Sequence, residues 1–423
     1  MRFAPPALLL ALLSSAPASA VTGEEVVQAL RDTPPEALEG INLSASLLLI
    51  GQRASRGTQD GRHETAANVR ADLELELPGG RLGNAEGKFF AHARAGAGNG
   101  LENLNPTLTG AVNSTPFATE AGNGTAVIAQ FWYQLDLAVG GSQDAAGSHV
   151  ELTVGKIDPF VFFDQNNYAD DESEAFLDNV FVHNPLLDSG GDVGGDEYGF
   201  APGVRLAWFG RLGGGEGQWG LSAGLFGSGA GLSFDRAPGN PFSIVQAEYS
   251  GPALGGLDGA YRAYAWRNAR NAPLNNAADS RWETHTGWGI SADQQIAANA
   301  GAFLRYGHAL RGAAAFDRAL TLGIQLNGPL WGRENDALGL AHGWLRSSQA
   351  FRDSAPALDA DADGNPDFGY AANGTEQQTE LYYNWRLNDH WLVSPDVQWI
   401  RRPGANADMR DIVVWGVRLK AAF

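Results

Sequence analysis

Residues 68–77 read Asn-Val-Arg-Ala-Asp-Leu-Glu-Leu-Glu-Leu, and every second side chain is apolar: Val69, Ala71, Leu73, Leu75 and Leu77. The intervening face carries Asn68, Arg70, Asp72, Glu74 and Glu76. A period of two belongs to a β-strand, whose successive side chains point to opposite sides. Two architectures use such a strand. A soluble sandwich or propeller buries the apolar face, whereas a membrane barrel turns it to lipid and keeps the charged face in its lumen.

Working outward, the same alternation recurs. Glu86–Ala95 sets Phe89, Ala91 and Ala93 against Lys88, His92 and Arg94, and Ile128–Val139 sets Phe131, Tyr133, Leu135 and Leu137 against Gln130, Gln134 and Asp136. Further strand-like runs lie at Leu43–Ile50, His149–Gly155, Val204–Phe209, Trp219–Phe226, Ile244–Tyr249, Ala260–Trp266, Thr284–Ser291 and Ala302–Tyr306. Others follow at Leu320–Leu326, Leu338–Leu345, Glu380–Leu387, Leu392–Ile400 and Val413–Ala422. The total is about 16, an even number as a bacterial single-chain barrel requires. Trp208, Trp219, Trp288, Trp344, Trp385 and Trp399 fall near strand ends, where the aromatic girdles of a barrel would sit. The expected fold is all-β: a closed antiparallel transmembrane β-barrel, preceded by a short N-terminal helix.

Composition narrows the function classes. The chain has 423 residues, 55 Gly, 12 Trp, no Cys and a formal net charge of −19. Its mean hydropathy of −0.22 excludes a bundle of membrane helices, and the lack of Cys excludes a disulfide-stapled secreted domain. The acidic balance argues against a nucleic-acid partner, which needs clustered Lys and Arg. Residues 1–20 place Arg2 before an apolar run and end on Ala18-Ser19-Ala20, the pattern of a cleaved signal peptide. Residues 21–40 open with Thr22-Gly23-Glu24-Glu25, a capping box for a short helix that Pro34 and Pro35 end. Residues 41–423 then form the barrel.

One stretch breaks the rhythm. Gly155–Pro185 begins a long loop region, 155–203, that is rich in Phe, Asp and Asn, and loops of that length are usually functional. Gly155-Lys156-Ile157-Asp158, Phe163-Asp164-Gln165-Asn166, Ala169-Asp170-Asp171-Glu172 and Phe176-Leu177-Asp178-Asn179 resemble the carbohydrate-selective porins of the OprB type. So do Glu380-Leu381-Tyr382-Tyr383, the run Ser394–Ile400, Pro403 and Trp415-Gly416-Val417-Arg418-Leu419. The closing strand, which stops on Phe423, is similar to the signal by which outer-membrane barrels are recognised for insertion. The resemblance implies a sixteen-stranded outer-membrane porin that lets mono- or oligosaccharides diffuse passively into the periplasm. It also implies lipid and the barrel-assembly machinery as partners, and it is compatible with a homotrimer. Residues 210–276 depart from the family pattern.

An inward-folded constriction loop would give the long stretch its role, with Phe on the wall and polar groups toward water. Its candidates are Asp164, Asn166, Asn167, Tyr168, Asp170, Asp171 and Glu172; the competing reading is that they hold turns and a short helix over Ser173–Phe181. The lumen faces of the early strands offer Arg70, Asp72, Glu74, Lys88, His92, Arg94, Gln130 and Asp136, with Arg suited to a polyol by its planar fork of donors. Ion pairing among themselves is the bland alternative. No cofactor is expected. Asp359, Asp361, Asp363, Asn365 and Asp367 begin like a calcium loop, but Tyr370 stands where the bidentate Glu belongs. No G-x-S-x-G or H-E-x-x-H pattern marks an enzyme. The rival function is a general or cation-preferring diffusion porin without a specific sugar site.

Overall fold

The structure, a computed structural model, describes residues 40–423 except 111, 118–123, 140–146, 189, 194, 197, 212–215, 229–238, 276–280 and 360–362. The signal peptide expected at 1–20, the helix expected within 21–40 and Asp361 lie outside the described residues.

Sixteen strands follow one another round a closed ring. They are β1 (Asn42–Arg56), β2 (Glu64–Leu82), β3 (Ala85–Gly98), β4 (Thr125–Ala138), β5 (His149–Ile157), β6 (Ala201–Gly210), β7 (Gln218–Phe226) and β8 (Phe242–Pro252). The second half comprises β9 (Asp258–Asn271), β10 (Glu283–Ala297), β11 (Ala300–Arg311), β12 (Phe316–Asn327), β13 (Ala337–Ser347), β14 (Thr375–Arg386), β15 (Trp391–Arg401) and β16 (Ile412–Ala422). Each pairs antiparallel with its sequence neighbours, and β1 closes on β16 with Leu49 opposite Leu419. Closure leaves no unpaired edge, the condition for crossing hydrocarbon with strands.

Every run of alternation in the sequence corresponds to one of these strands, but many strands are longer. The 68–77 run sits within the 19 residues of β2, and β14 begins at Thr375, not Glu380. The added residues, such as Thr375-Glu376-Gln377-Gln378, are polar on both faces because they extend past the apolar band, where periodicity has nothing to register.

Alternation sorts the faces as lipid requires. Leu47, Leu49, Leu73, Leu206, Leu221 and Val417 are exposed on the outside. Trp219, Trp385 and Trp391 stand at the end with short turns, while Trp288, Trp399 and Trp415 stand toward the end with long connections, so two girdles flank the apolar band.

The largest buried apolar cluster lies inside the ring. Phe163, Phe176, Phe181 and Leu186 of the β5–β6 connection join Phe226, Phe242, Tyr264, Phe303 and Tyr382 of the wall. Phe176 meets Phe181, Phe303 and Tyr382 with ring centroids 5.4, 5.7 and 4.9 Å away. A segment this apolar gains by covering the lumen wall, at roughly 25 cal/mol per Å² of apolar surface removed from water.

Candidate functional site

The segment joining β5 to β6 departs from a tight start. Gly155 has φ +153°, and a Cβ there would come within 2.3 Å of the Phe131 carbonyl oxygen, so only glycine fits. Asp158 then accepts the Phe160 N–H at 2.9 Å, which turns the chain inward. Its own N–H donates to Gln130 Oε1 on β4 at 3.1 Å.

On the far side the segment is clamped by β8 to β11. Asp164, fully buried and held at φ +59°, accepts from Tyr264 Oη and the Asn184 N–H, both at 2.5 Å. Arg305 lies with Nε 3.2 Å from the same carboxylate and donates to the carbonyls of Asp164, Ala169 and Phe181. Burial raises the Asp164 carboxyl above its ordinary range, and the Arg305 charge only partly offsets it. Asn166 donates to Ser291 Oγ at 3.2 Å and accepts the Tyr168 N–H at 3.1 Å. Asp164 and Asn166, expected to face water, instead have their polar atoms engaged by the wall and by the segment's own turns.

From Asp170 onward the chain crosses toward β14, β16 and β2. A single turn at Asp171–Ala175 leads to Leu177 and Asp178, whose N–H groups both donate to Glu380 at 2.6 and 2.9 Å. Those bonds hold Phe176–Asp178 out of a helix. The helix expected over Ser173–Phe181 is reduced to α1 (Asn179–Val182), capped by Asp178. Arg418 on β16 donates to the carbonyls of Glu172 and Ala175, and Lys420 donates to Ser173 Oγ at 2.7 Å and Glu174 Oε1 at 2.8 Å.

The crossing brings the segment to the charged face of β2 and β3. Asp72 receives Arg70 Nε at 2.9 Å, His92 Nε2 at 2.8 Å and Arg94 Nε at 2.6 Å, and Arg70 Nη1 reaches Glu172 Oε1 at 2.5 Å. Burial alone would raise the Glu172 carboxyl, but Arg70 and Arg94 outweigh it and bring the group down to about 2. Gln130 adjoins His92 at 3.5 Å. Five strand residues named from the sequence, Arg70, Asp72, His92, Arg94 and Gln130, thus meet in one place with Glu172 of the segment.

Two cavities flank this network. One of about 600 Å³, at the long-connection end, is lined by Arg94, Asp158, Phe160, Asp170, Glu172 and His183. The other, of about 400 Å³, opens toward the short turns and is lined by Arg70, Asp72, Glu74, Arg94, Asp171 and Lys420. Arg94, Asp170 and Glu172 line both. His183 stacks on Phe160 at 3.9 Å and contacts Asp170 at 3.4 Å. Although burial pulls the imidazole down, Asp170 and Asp188 raise it to about 9, so it is cationic at neutral pH.

The other named residues are placed apart from this junction. Glu74 lines the short-turn cavity. Lys88 pairs with Glu76 at 3.6 Å, and Asp136 accepts from Gln134 at 2.7 Å beside the register partner Glu151. Asn167 donates to Asp293 at 2.5 Å, while Tyr168 covers Gly301, where a Cβ would lie 1.9 Å from its ring. Asp171 is exposed and caps the Ser173 N–H at 2.7 Å. The carboxylates of Asp359 and Asp363 accept backbone N–H groups of their own turn, and no metal-ligating cluster occurs among the described residues. Arg305, Arg418 and Lys420 were missed, although each occupies an inward position; applying the face count of β2 to the later strands would have found them.

A family model described as carbohydrate-selective porin, OprB family, matches residues 58–423. Porin B of Pseudomonas aeruginosa is 27% identical over 161 residues, a match spanning 35% of each chain, so only about a third of that relative is covered. The high-pH structure of OprB from Pseudomonas putida superposes with a TM-score of 0.73 at 17% identity, covering 91% of this chain and 94% of that one. Its low-pH structure gives 0.50 at 15% identity, covering 95% and 98%. At such identities the structures speak for the fold: a sixteen-stranded porin barrel. With the family model matched over most of its length, the chain belongs to the carbohydrate-selective porins of the OprB family.

Proposed function

We propose that this barrel passes mono- or oligosaccharides by passive diffusion across the outer membrane into the periplasm, and that its narrow section lies where Arg94, Asp170 and Glu172 join the two cavities. The observation supporting this reading is that junction: guanidinium donors on the β2–β3 wall stand opposite carboxylate acceptors of the β5–β6 segment. A sugar hydroxyl both donates and accepts, so a donor wall facing an acceptor wall holds a polyol in passing without selecting a net charge. The Phe160–His183 stack adds a flat surface for a ring face just above it. On this reading no bond is made or broken. Export through a leader at residues 1–20, insertion by the assembly machinery and a trimeric assembly belong to the same proposal. The acidic stretch around Asp359 and Asp363 serves as a surface loop, because those two carboxylates already hold neighbouring backbone N–H groups.

The acidic lining formed by Asp170, Asp171, Glu172 and Asp188, in a chain of net charge −19, favours a second reading, a cation-preferring general porin. Conductance of the full chain in planar bilayers separates them. Block of the ion current by millimolar sugar supports the saccharide channel, whereas strongly cation-selective current indifferent to sugar overturns it.

A further inference from the structure

The outer surface of the barrel carries a second pattern, unconnected with the lumen. At the rim toward the long connections, arginines replace apolar residues on the outward face: Arg267 on β9, Arg318 on β12, Arg346 on β13, Arg401 on β15 and Arg53 on β1. All five are exposed. Each shares its outward parity with a membrane-facing neighbour, Leu322 for Arg318, Leu340 for Arg346 and Trp399 for Arg401. They therefore stand where the apolar band ends and head groups begin.

Four of the five arginines lack the carboxylate partners that exposed cations usually find. Arg318 stands directly opposite Arg346 across the β12–β13 pair, a juxtaposition that costs stability unless an anion intervenes. Arg346 is held by Asp317 at 2.5 Å. Among the described residues no carboxylate pairs with Arg318, Arg401, Arg267 or Arg53; Arg401 only lies over the Trp399 ring at 5.3 Å. At the short-turn rim, by contrast, Arg81 and Arg333 each meet a carboxylate. The belt is also confined to one sector, since outward positions toward the same rim on β2 and β3 are Ala67, Val69, Ala95 and Ala97.

We propose that this sector, from β9 round to β1, binds phosphate-bearing lipid head groups of the leaflet at the long-connection end. A guanidinium fork takes a phosphate in two parallel hydrogen bonds, and an anion seated between Arg318 and Arg346 converts their repulsion into a shared contact. Outward aromatic and aliphatic side chains below the belt, Trp288, Trp399 and Leu322 among them, meet the acyl chains of the same lipid. The occupant is a lipid because one molecule must satisfy both the cationic rim and the apolar band beneath it. This proposal rests on the membrane setting of the barrel and is independent of what the channel passes.

The test uses the purified full chain in detergent and bisphosphorylated lipid A as probe, with binding read by native mass spectrometry and by the shift in melting temperature. Arg318→Gln combined with Arg401→Gln is expected to weaken lipid A binding by about tenfold, while Arg81→Gln at the opposite rim leaves it unchanged. Single-channel conductance of the double variant should match that of the parent, which shows that the barrel is folded. Lipid A lacking one phosphate is expected to bind more weakly, and phosphatidylcholine and inorganic phosphate not to compete. Undiminished lipid A binding by the double variant overturns the proposal, as does equal competition by phosphatidylcholine. Competition by inorganic phosphate alone reassigns the belt to a small-anion site and overturns the lipid.

Discussion

On the β2–β3 wall, Arg70 and Arg94 meet Asp72 and Glu172 beside open cavities, whereas on the β9–β11 wall Arg305 and Tyr264, with Asn184 of the segment itself, close around Asp164 and leave it no exposed atom. Both are arginine–carboxylate systems joining the same segment to the barrel. They differ in water. Where both charges have lost hydration, every lone pair and N–H must find a protein partner, and Arg305 accordingly reaches three backbone carbonyls as well as Asp164. Where a cavity remains, the donors keep spare capacity for a solute. The dry pair is a latch and the wet one a contact surface.

Removing the latch is the severest test of that distinction. Arg305→Ala leaves the buried Asp164 carboxyl without its counter-charge, held only by Tyr264 and the Asn184 N–H, and should destabilise the barrel by roughly 3–5 kcal/mol, measured by denaturant unfolding in detergent. It should also raise single-channel conductance as the segment loosens. A variant that unfolds like its parent would refute the latch. On the cavity side, Arg94→Ala or Arg70→Ala should weaken sugar block by about tenfold, the loss of one charge-assisted hydrogen bond, and Arg94→Ala, at the more exposed of the two, should alter the unfolding midpoint far less than Arg305→Ala. If both variants retain full sugar block, the narrow section lies elsewhere.

His183 links the two sides, and its titration has a definite sign. Its folded-state value is raised to about 9 from an ordinary 6.5 by Asp170 and Asp188 against the effect of burial. The resulting stability is fully present below pH 6.5 and is lost as pH rises through about 9. His183→Gln should therefore lower the melting temperature at pH 6.5 but approach the parent at pH 10; a constant difference across that window would exclude the charge as the cause. The smallest effect belongs to Arg386→Ala. Its pair with Glu174 has side chains 28% and 36% exposed, so solvent screening limits the loss to about 0–1 kcal/mol. A larger loss would mean that wetness does not set the scale of these pairs.

The strands were legible because lipid and lumen impose opposite polarity on adjacent residues, so Val69 to Leu77 and Val413 to Phe423 declare their faces without any partner being known. Arg70, Asp72, His92 and Arg94 could be proposed together for the same reason, since a face count places them on the lumen side. The segment was legible only as a class. Asp164, Asn166, Asp170 and Glu172 are chemically alike and lie within nine residues of one another, yet the first two are consumed by the wall and the last two line open cavities. Nothing local separates them, because the separation depends on Tyr264, Ser291 and Arg305, which lie 100 or more positions away.

The sequence by itself determined the barrel, the number of its strands and the sign of each face, since these follow from a period of two read against two solvents. Only the tertiary structure decided where the segment runs and which of its carboxylates stay wet. Those outcomes depend on desolvation, a property of the finished enclosure and not of any residue within it.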